Sequence, residues 1–348
     1  MEPVAVFTIF EDVMSNSCCR RSFILGESVS LFILKRLISF ALTLVATSVI
    51  VFAVLELLPG NAAQVILGET ATAEAIAAME EKLGLDQPAL VRYAHWVSGL
   101  VQGQTGISIS YDTPTAELMA ERMQVTLPLA VMAMALTVAV ALAVGIYAAS
   151  QQNKAGDVGV MTLSQLGLAI PNFWLAILLI LLFAVHLQWV SAGGFPGWTE
   201  DSGGGVWPAI RALLLPAMAL AAVQTAILTR VTRSAVLDTL REDFVRTARA
   251  KGLSRRQVLW GHVLRNAMIP VLTVMGLQFG NLITSAIVIE NVFVLPGIGR
   301  LIFQAIANRD LIVVRDVVML LSALVILINF AIDVLYAWID PRLKVAHG

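Results

Sequence analysis

The sequence predicts an all-α polytopic membrane protein with six transmembrane helices and both termini in the cytoplasm. Three observations lead there. The 348 residues are 58% hydrophobic and only 14% charged, with a mean hydropathy of +0.82, whereas globular chains carry about 25% charged residues. A chain this long could hold a large soluble core, so the arrangement of the apolar residues decides. They fall in six runs, near residues 36–57, 125–149, 160–187, 212–230, 268–289 and 317–337. Each is long enough, at about 1.5 Å per residue, to cross a hydrocarbon core of about 30 Å. Each is apolar all round, as suits a helix among lipid and other helices. Finally, with the N-terminus inside, sixteen of the 23 Lys and Arg lie on the inner side and seven on the outer, although the outer segments are longer. That bias orients the chain.

The elements follow in order. Residues 1–31 read as a cytoplasmic extension. Its adjacent Cys18 and Cys19 cannot build a disulfide framework, and its layout is not that of a cleaved signal. The first span ends at Leu57. In the outer segment 58–120, Ile76, Met79 and Leu83 share one helical face and Gly84 can end that helix. Asp86 is expected to cap a second helix, with Pro88 in its first turn and Leu90, Tyr93, Trp96, Val97 and Leu100 at helical spacing. Thr113-Pro114 should open a third short helix running into the second span. These pieces are expected to pack on the outer mouth, with interfacial placement of Tyr93 and Trp96 as the alternative. Gln151–Asp157 is a short inner turn, and Gly193–Trp198 with Gly203–Gly205 is a turn-rich outer loop. No internal repeat is visible.

Chemistry is sparse. Ionisable residues within the runs are few; Glu56, His186 and Asp333 all lie near span ends. They read as interfacial or packing residues rather than as the midplane carboxylates of an ion-coupled carrier. No metal-binding, nucleophile-elbow or phosphate-loop motif occurs. The chain is therefore not expected to be an enzyme, and energy for any uphill work must come from a partner. A docking surface for it lies in segment 238–266. Arg241–Asn266 holds seven Arg or Lys in 26 positions and reads as helix, break, helix. Leu240, Phe244 and Ala248 recur every four residues, Gly252 can take the left-handed conformation, and Ser254 with Gln257 forms a capping box. Val258, Leu259 and His262 follow before re-entry near Met268–Pro270. A DNA-binding helix-turn-helix would need a surrounding domain that this short inter-span segment lacks. A mere topological anchor would explain the charge but neither the caps nor the apolar rows.

Arg246-Thr-Ala-Arg-Ala-Lys-Gly-Leu-Ser254 followed by His262-Val-Leu-Arg-Asn-Ala-Met-Ile-Pro270 resembles the "EAA" loop of ABC importer permeases, in the form found in the dipeptide/oligopeptide/nickel branch. The resemblance extends over nearly the whole chain after residue 31. Further similar stretches are Phe32–Leu37, Leu57–Gly60, Leu83–Pro88, Gly106–Ser108, Pro171–Trp174, Glu290–Gly299, Asn308–Asp310 and Asp340–Arg342. It implies the type I ABC importer transmembrane fold, in which residues 121–338 form the transporter domain and 339–348 a cytoplasmic tail. It further implies a multi-pass protein of the bacterial cytoplasmic membrane, embedded in lipid and binding no nucleic acid. The implied function is import of peptides or related small solutes by alternating access. The implied partners are a second homologous permease subunit, two ABC ATPase subunits that use ATP and Mg, and an extracytoplasmic solute-binding protein. This chain itself would hold no cofactor or metal and have no catalytic residue. By the resemblance, Phe244, Arg246, Thr247, Ala248, Lys251, Gly252, Leu253 and Ser254 form the ATPase-coupling loop. Glu290, Pro296, Gly297 and Gly299 form an extracytoplasmic motif. Two departures stand out: Thr247 occupies the loop's Glu position, and Pro270 lies eighteen residues after Gly252. A non-transporting scaffold that recruits a cytoplasmic protein through 238–266 is the alternative function.

Overall fold

The computed structural model describes residues 29–57, 67, 71–82, 84 and 86–339. The expectations for the N-terminal extension with Cys18 and Cys19, for the exit at Leu58–Gly60, for the side chains of Met79 and Leu83, and for the tail with Arg342 fall outside the described residues. Eleven helices are described: α1 (Val29–Leu57), α2 (Ala73–Lys82), α3 (Ala89–Gln102), α4 (Thr115–Ser150), α5 (Ala155–Ala169), α6 (Asn172–His186), α7 (Val206–Leu240), α8 (Asp243–Ala250), α9 (Arg255–Val292), α10 (Ile298–Ala307) and α11 (Leu311–Ile339). Five of them, α1, α4, α7, α9 and α11, are long and apolar enough to cross a membrane.

The third predicted span is not one rod. It is broken into α5 and α6, whose axes meet at 100°. The cause is local: Pro171 offers no N–H and forces Ile170 out of the helical region, to φ −91° and ψ 122°. The uniformly apolar run conceals this break. The second span differs in the opposite sense. No separate short helix follows Pro114, because α4 runs unbroken for 36 residues, about 54 Å. At α3 the predicted Asp86 cap is absent. Pro88 itself holds the cap position with ψ 142°, and no side chain bonds there. Gly84 has φ +66°, as a terminator of α2 requires.

Of the five long helices α7 is the most buried and α1 the least. Around α7 the inner and outer halves of α4 and α9 build two separate apolar cores. The outer core joins Leu129 and Ala133 of α4, Leu213 and Leu220 of α7, and Leu282 and Ile289 of α9. The inner core joins Ala141 and Ala149 of α4, Leu228 and Val236 of α7, and Val263 and Val271 of α9. A third cluster packs the start of α4 on α10 and α11 through Leu118, Leu301 and Val317. Helix α1 lies on α11, with Phe40 on Phe330 (5.3 Å between centroids) and Arg36 paired to Asp333 at 3.1 Å.

Pro128 sits inside α4 and cannot bond to the carbonyl four residues back. That carbonyl, of Gln124, instead accepts the indole N–H of Trp198 at 2.8 Å. The Gly-rich outer loop is thus pinned to the helix at the acceptor that Pro128 leaves free.

Candidate functional site

The basic segment forms an elbow between α7 and α9. Helix α7 ends at Leu240, the chain turns at Arg241, and α8 begins after Glu242. This turn shifts the apolar row. Phe244 no longer continues from Leu240 and is exposed, whereas Val245 and Ala248 point into the inner core. At the end of α8 the Gly252 N–H donates to the Arg249 carbonyl at 2.9 Å and the Leu253 N–H to the Ala248 carbonyl at 3.3 Å. With Gly252 at φ +86°, this is a Schellman cap, and Leu253 packs beside the core residue Ala248 as the motif requires. Two residues on, Ser254 accepts from the Gln257 N–H while the Gln257 side chain accepts from the Ser254 N–H, completing the predicted capping box. The second arm is not a separate helix. After one α-turn it continues through a π-helical stretch, Leu259–Val263, into the body of α9.

The eight sequence-predicted coupling residues therefore divide. Phe244, Arg246, Thr247, Lys251, Gly252 and Ser254 are exposed, together with Trp260, which the sequence reading did not single out; Ala248 is buried and Leu253 half-buried. Residues that show outward are carried on a turn whose inward side chains belong to the core of three spans. A load on the outward face has a stiff route into α7 and α9.

The second predicted group lies at the other end of α9, some 35 residues or about 52 Å along the helix from Arg255. The chain leaves α9 through another Schellman cap, with the Val294 N–H donating to the Asn291 carbonyl (3.3 Å) and the Leu295 N–H to the Glu290 carbonyl (2.8 Å). Val294 holds the left-handed position at φ +54°, a strained place for a β-branched residue. Pro296 and Gly297 then turn the chain into α10. The Glu290 carboxylate is fully buried and accepts from the Thr126 hydroxyl and the Gly299 N–H, each at 2.6 Å; Thr126 in turn accepts from the Ile298 N–H at 2.9 Å. Glu290 and Thr126 together satisfy two of the free N–H groups at the start of α10, those of Gly299 and Ile298. A Cβ on Gly297 would strike this carboxylate, and one on Gly299 the backbone of Ile287. Thr126, mid-sequence in an apolar run, carried no signal that it would complete this cradle.

Three further carboxylates are buried, none of them among the predicted site residues. Asp157, at the start of α5, makes a two-point contact with Arg233 of α7 at 2.5 and 2.6 Å and accepts from the Asn153 N–H at 2.9 Å. At the head of α11, Asp310 accepts from the Ser108 hydroxyl (2.6 Å), the Ser110 N–H (3.0 Å) and, as a helix cap, the Val313 N–H (3.3 Å). Asp316 accepts from the Trp96 indole (2.9 Å) and the Thr115 hydroxyl (2.6 Å), and Arg315 lies 4.8 Å from the centre of the Trp96 ring. The Trp96 burial favours packing over an interfacial position. Helix α3 is also tied to α1, through Tyr93 to Ser48 at 2.8 Å and through an Arg92–Glu56 ion pair.

Comparison with known proteins agrees along the chain. Residues 141–345 match the sequence model of the binding-protein-dependent transport system inner membrane component, and residues 29–140 match its N-terminal counterpart. A putative peptide transport system permease protein of Brucella abortus (strain 2308) is 40% identical over 312 residues, 90% of this chain and 98% of the relative. The dipeptide transport system permease protein DppB of Alkalihalophilus pseudofirmus is 37% identical over 329 residues, 90% of this chain and 99% of the relative. The glutathione transport system permease protein GsiC of Salmonella typhi is 41% identical over 313 residues, 90% and 98% respectively. Among solved structures, a chain of the MetNI methionine ABC transporter in inward-facing conformations shares the fold, with a TM-score of 0.54 and 18% identity over 64% of this chain and 96% of that one.

Proposed function

The chain belongs to the family of binding-protein-dependent transport system inner membrane components, multi-pass proteins of the bacterial inner membrane, and on that premise we propose that it is the permease subunit of an ATP-driven importer of peptides or related small solutes. A second, homologous permease subunit completes the path, and an extracytoplasmic solute-binding protein delivers the substrate. Two ATPase subunits, which use ATP and Mg, dock on the elbow from the cytoplasmic side, where both termini also lie. Alternating access follows from closure of the ATPases: they push on 238–266, α7 and α9 tilt, and the path switches sides. A peptide backbone is polar and zwitterionic, so the path itself needs only to be wet; affinity resides in the binding protein.

The observation that carries this reading is the elbow, whose exposed Phe244, Arg246, Thr247, Lys251, Gly252 and Ser254 stand on a doubly capped turn rooted in the inner core. The test is Gly252→Trp in the complete complex in proteoliposomes. It should leave the protein inserted and assembled with its partner permease while abolishing ATP-driven uptake. Uptake at the wild-type rate would remove the coupling role from this elbow.

A further inference from the structure

The fully buried residues of the two apolar cores of α4, α7 and α9 are separated by a polar level. On α4 they stop at Ala133 and resume at Ala141, with Thr137 between, flanked by the half-buried Leu136 and Val138. On α7 the limits are Leu220 and Leu228, with Gln224 between; on α9 they are Leu282 and Val271, with Gln278 between and the half-buried Phe279 and Met275 nearby. All three polar residues are buried, with 0%, 6% and 3% exposure. Their contacts put them at one level. The Gln278 side-chain N–H donates to the Gln224 main-chain carbonyl at 3.3 Å, and the Thr137 hydroxyl to the Ala221 carbonyl, less than a turn away, at 3.5 Å.

Both bonds are long, at the limit of useful geometry. Among the described residues five buried side-chain nitrogen or oxygen atoms lack a hydrogen-bond partner, and two of them are the amide oxygens of Gln224 and Gln278. An unmade acceptor in a buried place is a net cost, and Met would fill nearly the same volume without it. Static packing therefore does not account for this choice of residues. Interlocked apolar cores resist shear, because side chains must climb out of one set of notches to enter another. A layer with two spare acceptors behaves differently: as the helices shift, the Gln278 amide N–H can exchange the Gln224 carbonyl for another, and the free amide oxygens of Gln224 and Gln278 can take up donors in the new position.

We propose that Thr137, Gln224 and Gln278 form a polar bending level. There the inner halves of α4, α7 and α9, carrying the elbow, tilt against the outer halves that carry the Glu290 cradle. The proposal rests on the transporter reading above and assigns the tilt to one level buried within this chain.

The test uses the full complex in lipid nanodiscs, with Cys18 and Cys19 replaced by Ser and spin labels at the exposed Ser150, at the inner end of α4 and outside the docking segment, and at Leu34 on α1, which packs on α11 outside the layer. The measured quantities are the change in label distance on adding ATP, Mg and vanadate, and the thermal unfolding midpoint. For the double variant Gln224→Met/Gln278→Met we expect a midpoint equal to or above that of the wild type, with the ATP-driven distance change cut by more than half. An undiminished distance change overturns the bending level. So does a lowered midpoint, which would make the amides structural cement. A wild-type complex that shows no ATP-driven change at all would instead remove the transporter reading, so the two failures are distinguishable.

Discussion

A methyl group placed on Gly252 meets nothing within 4 Å, whereas one on Gly297 runs into the Glu290 carboxylate. The two glycines are therefore required for different reasons, and their substitutions should separate. Gly252→Ala strains only the left-handed backbone, at about 1 kcal/mol. Gly297→Ala displaces a buried carboxylate from two 2.6 Å bonds and should cost roughly 3 kcal/mol. Thermal unfolding in detergent should accordingly show a small loss for the first and a large one for the second; equal losses would contradict the cradle. The capacity of Gly252 to cap was readable from its place after a basic helical turn. The need for Gly297 was not, because the group it avoids lies seven positions earlier in sequence and is brought to it by the turn at Val294.

At the scale of elements, five of the six predicted spans were legible because length and hydrophobicity alone decide them, whereas the break of the third at Pro171 was not. The features that shape those helices were not, since they depend on pairs far apart in sequence. Pro128 illustrates the point. As a residue it signals only a kink; its partner, Trp198, is 70 positions away on a loop that reads only as turn-rich. The pairing makes a quantitative prediction. Trp198→Phe should cost about 1 kcal/mol by stranding the Gln124 carbonyl. In a Pro128→Ala background the helix supplies its own N–H, and the same change should cost much less. A double-mutant cycle should thus show a coupling on the order of 1 kcal/mol, and additivity would mean the Trp198 bond is incidental. The buried acids were hidden for a similar reason. Asp157 looks like a residue of a polar turn, and only the approach of α7 turns it into one half of a part-buried ion pair with Arg233. Asp310 and Asp316 look like the polar approach to a span, until segment 96–115 folds over them.

At the scale of the whole molecule, those last two carboxylates fasten the outer segment to the final span, while Tyr93 and Arg92 fasten the same segment to the first. Helix α3 therefore bridges the two terminal spans independently of α7 and α9, which carry the elbow. Asp316→Ala removes the acceptor for both Trp96 and Thr115. Amide hydrogen exchange should then rise at least tenfold, by a rough reckoning of two lost buried bonds, in α3 and residues 105–115. Exchange within α7 should remain as in the wild type; uniform acceleration across the chain would show that the clasp is not a separate unit. The continuous α4 has a consequence for how such chains can be recombined. The boundary between the two family matches, at residues 140 and 141, falls inside this single helix, three residues beyond Thr137 and at the very edge of the inner core. The two matched regions are thus not separate units of folding. A chimera joined there must inherit both the rotation and the side-chain notches of one rod from two parents. A junction in the outer loop at 199–203, away from the helical rods, asks for neither.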